Sequence, residues 1–507
     1  MDKSRKLLKL NMIFSLIYQI VLIVNGLILP KLILKYYGSE VNGLVNSIQS
    51  ILNVITLMEL GVGSVVQTNL YKPLVDNDYE KINRIVNAAK KFFYFVGVIF
   101  IVFVICICII YPIYVKDKFD VFSTVILIVS ISLTLFSQYF FGIVNSLLIR
   151  ADQKVYIINI VQIITLLLST IICVVLIMNG FSIQIVKLTT SLIFLLRPLF
   201  LYFYVRKNYK IFKTNIVGDE LPQKWNGLSQ HIASYVLDNT DIVILTIFSS
   251  LKNVSIYSTY YMVVYSIRLL IVSFTNGIQS YYGFLYANNN IESLKKNFEK
   301  FNYFINSISV IVYSVSCMMI VPFIICYTNG INDADYNQFL FGVILIISQF
   351  FFCLRRSYNI LVLAVGHYKE TQLSAIFEAI INVVVSICFV LIFDLIGVAI
   401  GTLVAMLYRT IYFAKYFSKK IICRKFKLFI KDLISDLIIL SIAIILGAFI
   451  NRYLNINTFG KWIICSIVSL LIIVFVFTIV NSIIYKNQFL KYIKIFFDKI
   501  FKKGSLK

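Results

Sequence analysis

The stretch YYGSEVNGLVNSIQSILNVITLMELGVGSVVQTNLYKPLVDNDYEKINRIVNAAKK, Tyr36 to Lys91, decides how the chain is read. It opens on a short polar turn, Tyr37-Gly38-Ser39-Glu40, runs through an apolar span from Leu44 to Leu70, and closes in a charge-rich segment. A weaker copy follows about 212–216 residues later. Gly61-x-x-Ser64 with Leu70-Tyr71 returns as Gly277-x-x-Ser280 with Leu285-Tyr286. Asn77-Asp78-Tyr79-Glu80 returns as Asn289-Asn290-Ile291-Glu292, and the next span starts aromatic in both copies. Further on, Ser137-Gln138-Tyr139-Phe140-Phe141 parallels Ser348-Gln349-Phe350-Phe351-Phe352, Lys154 parallels Lys369, and Arg197 parallels Arg409. The first six spans therefore correspond to the next six.

The composition says what kind of chain repeats in this way. Of 507 residues, 60% are hydrophobic and only 14% charged, and the mean hydropathy is +0.89. Apolar runs of twenty or more residues recur throughout, the pattern of a helical membrane protein. They exceed the ~10 residues a barrel strand needs and lack strict alternation, which excludes a β-barrel. The first run, from about Met12 to Leu34, is too long for a signal-peptide core and is read as a retained span. The nine cysteines sit mostly in apolar runs and read as buried spectator thiols. With only His231 and His367 as imidazoles, no metal set is expected.

The expected fold is an all-α polytopic membrane protein of about 14 transmembrane helices, arranged as two pseudo-symmetric six-helix bundles plus two C-terminal helices. The spans fall near 12–34, 44–70, 92–115, 121–149, 155–178, 182–205, 228–248, 255–283, 301–328, 337–365, 371–393, 395–415, 433–454 and 461–485. The domains are then 1–205 (first bundle), 206–227 (a charged linker with Gly218 and Pro222), 228–417 (second bundle) and 418–507 (a basic segment, spans 13 and 14, and an amphipathic tail). With the N-terminus in the cytoplasm, inside segments hold 34 Lys and Arg and outside loops 7. That bias puts both termini in the cytoplasm, with the chain multi-pass in the bacterial cytoplasmic (inner) membrane. The net charge of +24 thus belongs to loops and tails facing anionic lipid, and nucleic acid is not the expected partner. Ser418–Asp432 and Lys486–Lys503, both basic and amphipathic, are expected on the inner leaflet.

Six basic residues lie within spans: Lys187, Arg197, Arg268, Arg355, Arg356 and Arg409. A mid-bilayer charge costs at least ~2.5–3.5 kcal/mol, so it snorkels, finds a partner or lines a wet cavity. Arg409, ~9 Å from the end of its span, and Lys187 are shallow enough to snorkel, and Glu378, ~10 Å in, is ambiguous. Arg268 lies ~22 Å deep. Arg355, Arg356, Asp238, Asp241 and Glu59 are each roughly ten or more residues in, and all should face protein or water. Helical spacing places them on polar faces: His231, Ser234, Asp238 and Asp241 on span 7; Tyr261, Tyr265 and Arg268 on span 8; Asn42, Asn46, Ser50 and Asn53 on span 2; Asn11, Tyr18 and Asn25 on span 1. Such faces suit a sugar-sized, water-filled cavity. Asp238 or Asp241 either neutralises Arg268 as an interhelical pair or binds Na⁺ or a proton.

The motifs YYGSEVNGLVNSIQS, ELGVGSVVQTNLYKPL and NTDIVIL, with the 6+6+2 plan, resemble bacterial polysaccharide-unit flippases of the multidrug/oligosaccharidyl-lipid/polysaccharide exporter superfamily, over nearly the whole chain. The resemblance implies translocation of an undecaprenyl-diphosphate-linked oligosaccharide from the inner to the outer leaflet by alternating access of a V-shaped pair of bundles. It also implies membrane lipids, a polysaccharide polymerase and glycosyltransferases as partners. Cavity-lining cations are carried over as an idea only. Depth places them at Arg268, Arg355 and Arg356, with Tyr261, Tyr265, Glu59 and Asn53 beside the sugars and Asp238 and Asp241 as coupling or gate residues.

No cofactor is expected beyond a coupling Na⁺ or H⁺, and no GxxxxGK[ST] loop supports direct use of ATP. The rivals are a cation-coupled multidrug exporter on the same fold, which would need an acidic cavity, and a peptidoglycan-precursor flippase. A membrane-bound glycosyltransferase or polymerase is disfavoured because the longest loop has about twenty residues. The chain is therefore not expected to be an enzyme.

Overall fold

The structure is a computed structural model that describes residues 2–212, 228–273, 275, 278–421 and 424–485. In chain order it contains α1 (Asp2–Leu52), a short 3₁₀ turn (Asn53–Ile55), α2 (Thr56–Asp76), α3 (Tyr79–Tyr114), α4 (Val121–Ser137), a wide π turn (Gln138–Gly142), α5 (Ile143–Ala151), α6 (Val155–Met178), α7 (Ile183–Phe194), α8 (Leu196–Asn208) and α9 (Leu228–Phe248). It continues through α10 (Leu251–Ser273), α11 (Ile278–Ala287), α12 (Ile291–Tyr327), α13 (Phe339–Ala364), α14 (Tyr368–Phe393), α15 (Leu395–Lys420), α16 (Phe426–Tyr453) and α17 (Phe459–Tyr485). Twelve described helical stretches are long and apolar enough to cross a membrane, and one of them, Lys9–Ile55, joins the first span to the start of the second. The chain is a multi-pass, all-α membrane protein.

Several spans are interrupted. Gly38, at φ 84°, breaks α1 between the first two spans. Asn53–Ile55 tightens the second span into a 3₁₀ turn. The sixth span divides at Leu195, where Pro198 has no N–H to return to the carbonyl of Phe194. The expected continuous span 255–283 is two helices, α10 and α11. Ser418–Asp432 is not a separate surface helix. Its described residues divide between the end of α15 and the start of α16, with Phe429 buried. Residues 213–227 of the linker and the tail segment Lys486–Lys503 lie outside the described residues.

The internal repeat is written into the turns. Asn77 and Asn289 both adopt the left-handed conformation, at φ 53° and 54°. The next residues, Asp78 and Asn290, cap the following helices by accepting from the N–H of Lys81 (3.0 Å) and Ser293 (3.1 Å). Gln153 and Gly366 (φ 57° and 80°) end the corresponding later helices. There the N–H of Lys154 bonds to Ile149 O and that of His367 to Val362 O.

By packing, the chain divides into Met1–Ser255 and Ile256–Lys507. In the first unit, Leu44, Ile48, Val66, Leu70, Ile85, Phe93, Leu127, Ile128 and Leu148 form a continuous core, and α9 packs on α1 and α2. In the second, α12 packs on α13, α16 and α17, and α14 on α15. Exposed apolar rows, such as Ile463, Ile467, Leu471 and Phe475 on α17, face lipid.

The α14–α15 pair turns through Asp394 alone (φ 52°). The helices approach so closely that a Cβ on Gly397 would lie 2.2 Å from the backbone of Phe389, and one on Gly401 2.6 Å from Ser386 N. Gly401→Val is therefore expected to lower stability by about 1–3 kcal/mol through overpacking. This is read as a fall in the midpoint of thermal unfolding in detergent, and an unchanged midpoint would contradict the packing.

Candidate functional site

The polar faces divide into two kinds. On the first two spans they hold helices together. Asn11 donates to Gln153 O (2.8 Å) and accepts from the N–H of Tyr156 (2.8 Å). Asn25 accepts from Thr170 Oγ1 (2.8 Å). Asn42, 2% exposed, donates to Ser255 Oγ (2.8 Å), and Asn46 turns back onto Asn42 O (2.8 Å). Ser50 O accepts from Tyr235 Oη of α9 (2.9 Å). The amides of Asn11, Asn25 and Asn42 so satisfied are cross-links and not an open cavity wall, which corrects the expectation for those three, whereas the Asn46 amide bonds within its own helix and Ser50 is engaged through its backbone carbonyl. Asn53 is half-buried in the 3₁₀ turn, where its carbonyl accepts from Thr56 Oγ1 (2.7 Å).

The second kind lies in the second unit. On α10, Tyr257, Tyr261 and Tyr265 form a ladder one turn apart, with ring centroids 5.6 and 5.5 Å apart. Arg268 continues it. Its guanidinium sits 4.5 Å from the Tyr265 ring and 4.6 Å from that of Phe352, and it donates to Gln349 Oε1 (3.2 Å) and Tyr261 Oη (3.5 Å). Arg268 is 4% exposed. Rings on two sides hold the fork flat and supply cation–π attraction. The structure thus brings Arg268, Tyr261 and Tyr265 together. Gln349 and Phe352 had been quoted only as part of the repeat. Their spacing ahead of Arg355 and Arg356, along one face of α13, was the signal that could have found them.

On α13, Arg355 and Arg356 diverge. Arg355 is buried, stacks on Phe352 (5.0 Å) and makes a close ion pair with Glu378 of α14. Arg356 is half-buried and donates from Nε to Thr275 Oγ1 (3.4 Å), between α10 and α11. Glu378 also faces Arg409 of α15, whose Nε lies 3.8 Å from its other oxygen. Arg409 is 7% exposed and packs over Phe413 (4.5 Å). It therefore does not snorkel, because its span turns it toward Glu378 of α14. Two of the three guanidiniums, those of Arg355 and Arg409, share one carboxylate, and the third, Arg356, meets a hydroxyl. The cluster keeps an excess of positive charge.

The first unit holds Asp238 (half-buried) and Asp241 (1% exposed) on α9. The side chains of Glu59, His231 and Ser234 lie outside the described residues. Arg197, the repeat counterpart of Arg409, donates to Thr165 Oγ1 (2.7 Å), rests 3.9 Å from the Phe194 ring, and lines a cleft with Gln138, Arg150 and Gln162. The second unit thus carries buried guanidiniums supported by hydroxyls, amides and aromatic rings, and the first a half-buried one at Arg197. Among the described residues no group of His, Cys, Asp and Glu has the makings of a metal site of three or more such ligands.

No protein-family model and no curated protein matches the chain. Solved structures do. The chain is similar to the lipid II flippase MurJ in an inward closed conformation, with a TM-score of 0.66 and 17% identity over 94% of this chain and 99% of that one. It is also similar to a multidrug resistance MATE family transporter of the MOP superfamily in an inward-facing conformation, with a TM-score of 0.59 and 15% identity over 79% of this chain and 94% of that one. A MATE structure in complex with MaL6 gives a TM-score of 0.52 and 14% identity, covering 81% and 96%. The fold is that of MOP-superfamily flippases and transporters.

Proposed function

We propose that this chain, folded as MOP-superfamily proteins are, is a flippase that moves an undecaprenyl-diphosphate-linked oligosaccharide from the inner to the outer leaflet of the cytoplasmic membrane by alternating access. The observation that carries the reading is the guanidinium surplus. Arg355, Arg356 and Arg409 have a single carboxylate, Glu378, among their described partners. A diphosphate carries about two negative charges and must shed water to cross, so buried arginines with paired donors offset its desolvation. Arg268 and Arg356 are the head-group ligands in this reading. Arg355 shares its charge with Glu378, and Tyr261 and Tyr265 stack against sugar rings. The lipid tail stays in the bilayer. Asp238 and Asp241 serve coupling to Na⁺ or a proton, and the arginine cluster is not the acidic cavity a cationic drug would need.

The similarity to a lipid II flippase favours a second reading, in which the carried unit is the peptidoglycan precursor. Both cargoes present the same diphosphate to the same arginines. Deletion of the gene separates them. Loss of surface polysaccharide with oligosaccharide-lipid accumulating on the inner leaflet is the expected result. Accumulation of peptidoglycan precursor with intact surface polymer supports the second reading, and accumulation of neither overturns both.

A further inference from the structure

A polar cleft apart from the arginine cluster lies among α12, α16 and α17. It is lined by Asn302 and Asn306 of α12, by Asp432, Ser435 and Asp436 of α16, and by Asn481 and Tyr485 of α17, and its volume is about 160 Å³. The spacings i, i+3 and i+4 put each set on one helix face. Asp432 is fully engaged: Oδ2 accepts from Arg424 (2.7 Å) and Oδ1 from Tyr485 Oη. Arg424 also donates to Tyr358 Oη (2.9 Å) and reaches the cleft from the α15–α16 connection. Its charge cancels that of Asp432.

Asp436 differs. It is 3% exposed, and among the described residues its one hydrogen-bond partner is Asn306, whose Nδ2 donates to Oδ2 at 2.8 Å. That contact fixes the amide, because only its nitrogen can donate to a carboxylate. Asn306 Oδ1 is consequently buried without a donor, and so is the hydroxyl of Ser435, a residue 2% exposed. One carboxylate without a counter-charge and two residues with buried, unpartnered neutral oxygens thus belong to one cleft. A buried carboxylate in such surroundings is expensive unless a positive charge joins it.

We infer that the cleft binds a single Na⁺, held by the Asp436 carboxylate, Asn306 Oδ1 and Ser435 Oγ. Hard alkali cations take oxygen ligands, and one net negative charge matches one positive charge, whereas a divalent ion would call for further carboxylates. Glu299, which also lines the cleft, is not one of the three ligands and adds to the attraction for a cation. The site is independent of the cargo and distinct from the α9 aspartates.

The test is ²²Na⁺ binding to the purified full-length protein in detergent, with choline chloride holding the ionic strength. Wild type is expected to bind saturably. The α9 variant Asp238→Asn with Asp241→Asn should retain one saturable site, and in that background Asp436→Asn should lose at least ten-fold in affinity and Ser435→Ala several-fold. Each variant is accepted only if it elutes and melts as wild type does in choline. If Asp436→Asn fails that criterion, Ser435→Ala alone decides. Undiminished binding in the accepted variants, absence of saturable binding to wild type, or loss confined to the α9 variant would overturn the inference. No lipid is present in the assay, so its outcome does not depend on the proposed cargo.

Discussion

Arg268→Ala is expected to stop export of the lipid-linked unit while the protein still accumulates in the membrane. The guanidinium is held by two rings and by Gln349 and Tyr261, so it is pre-oriented before any cargo arrives. Removing one partner of a buried charge-assisted contact costs about 2–5 kcal/mol, or roughly 30- to 4,000-fold in affinity. The protein itself is expected to lose less, since the partners that alanine leaves short of contacts, Gln349, Tyr261 and the two rings, are all uncharged. Arg268→Lys should restore a fraction of the activity, because a point charge lacks the planar fork. Surface polymer and inner-leaflet intermediates, measured against protein level, check both variants. Normal export by Arg268→Ala would remove this residue from the site.

Glu378→Gln is expected to damage stability more than any other single change considered. It leaves Arg355 and Arg409, both nearly buried, facing a neutral amide. Breaking a buried ion pair from one side costs about 3–5 kcal/mol, whereas replacing the pair together by apolar groups is often close to neutral. Glu378→Gln combined with Arg355→Met should therefore melt above Glu378→Gln alone. Thermal unfolding in detergent gives the comparison as a double-mutant cycle, and strict additivity would show that the two residues do not interact.

The polytopic helical plan, the repeat and the burial of Arg268 were legible in the sequence because each rests on hydropathy, local identity or distance along a helix. The pairing of Arg409 with Glu378 was not. Depth alone allowed Arg409 to reach water, and its burial depends on how far α15 is rotated toward α14. The stripes on spans 1 and 2 misled for a related reason. Periodicity shows that Asn42, Asn46 and Ser50 share a face, but the same pattern serves a wet wall or a helix partner, and here the start of α10 supplies the partner of Asn42 and α9 that of the Ser50 carbonyl. The breaks at Leu195 and between α10 and α11 were invisible to hydropathy, which averages over the few residues that carry them.

The one-residue turn at Asp394 has a mechanical consequence. With glycines seating its arms against each other, the α14–α15 hairpin behaves as one stiff piece. Glu378 and Arg409 ride on opposite arms of it, and Arg355 rides on α13. A slide of the hairpin along α13 would leave the Glu378–Arg409 contact untouched and load the bonds that cross to α13, Arg355 to Glu378 and Thr410 Oγ1 to Phe351 O (3.2 Å). The ion pair then acts as a shear pin beside that hydrogen bond.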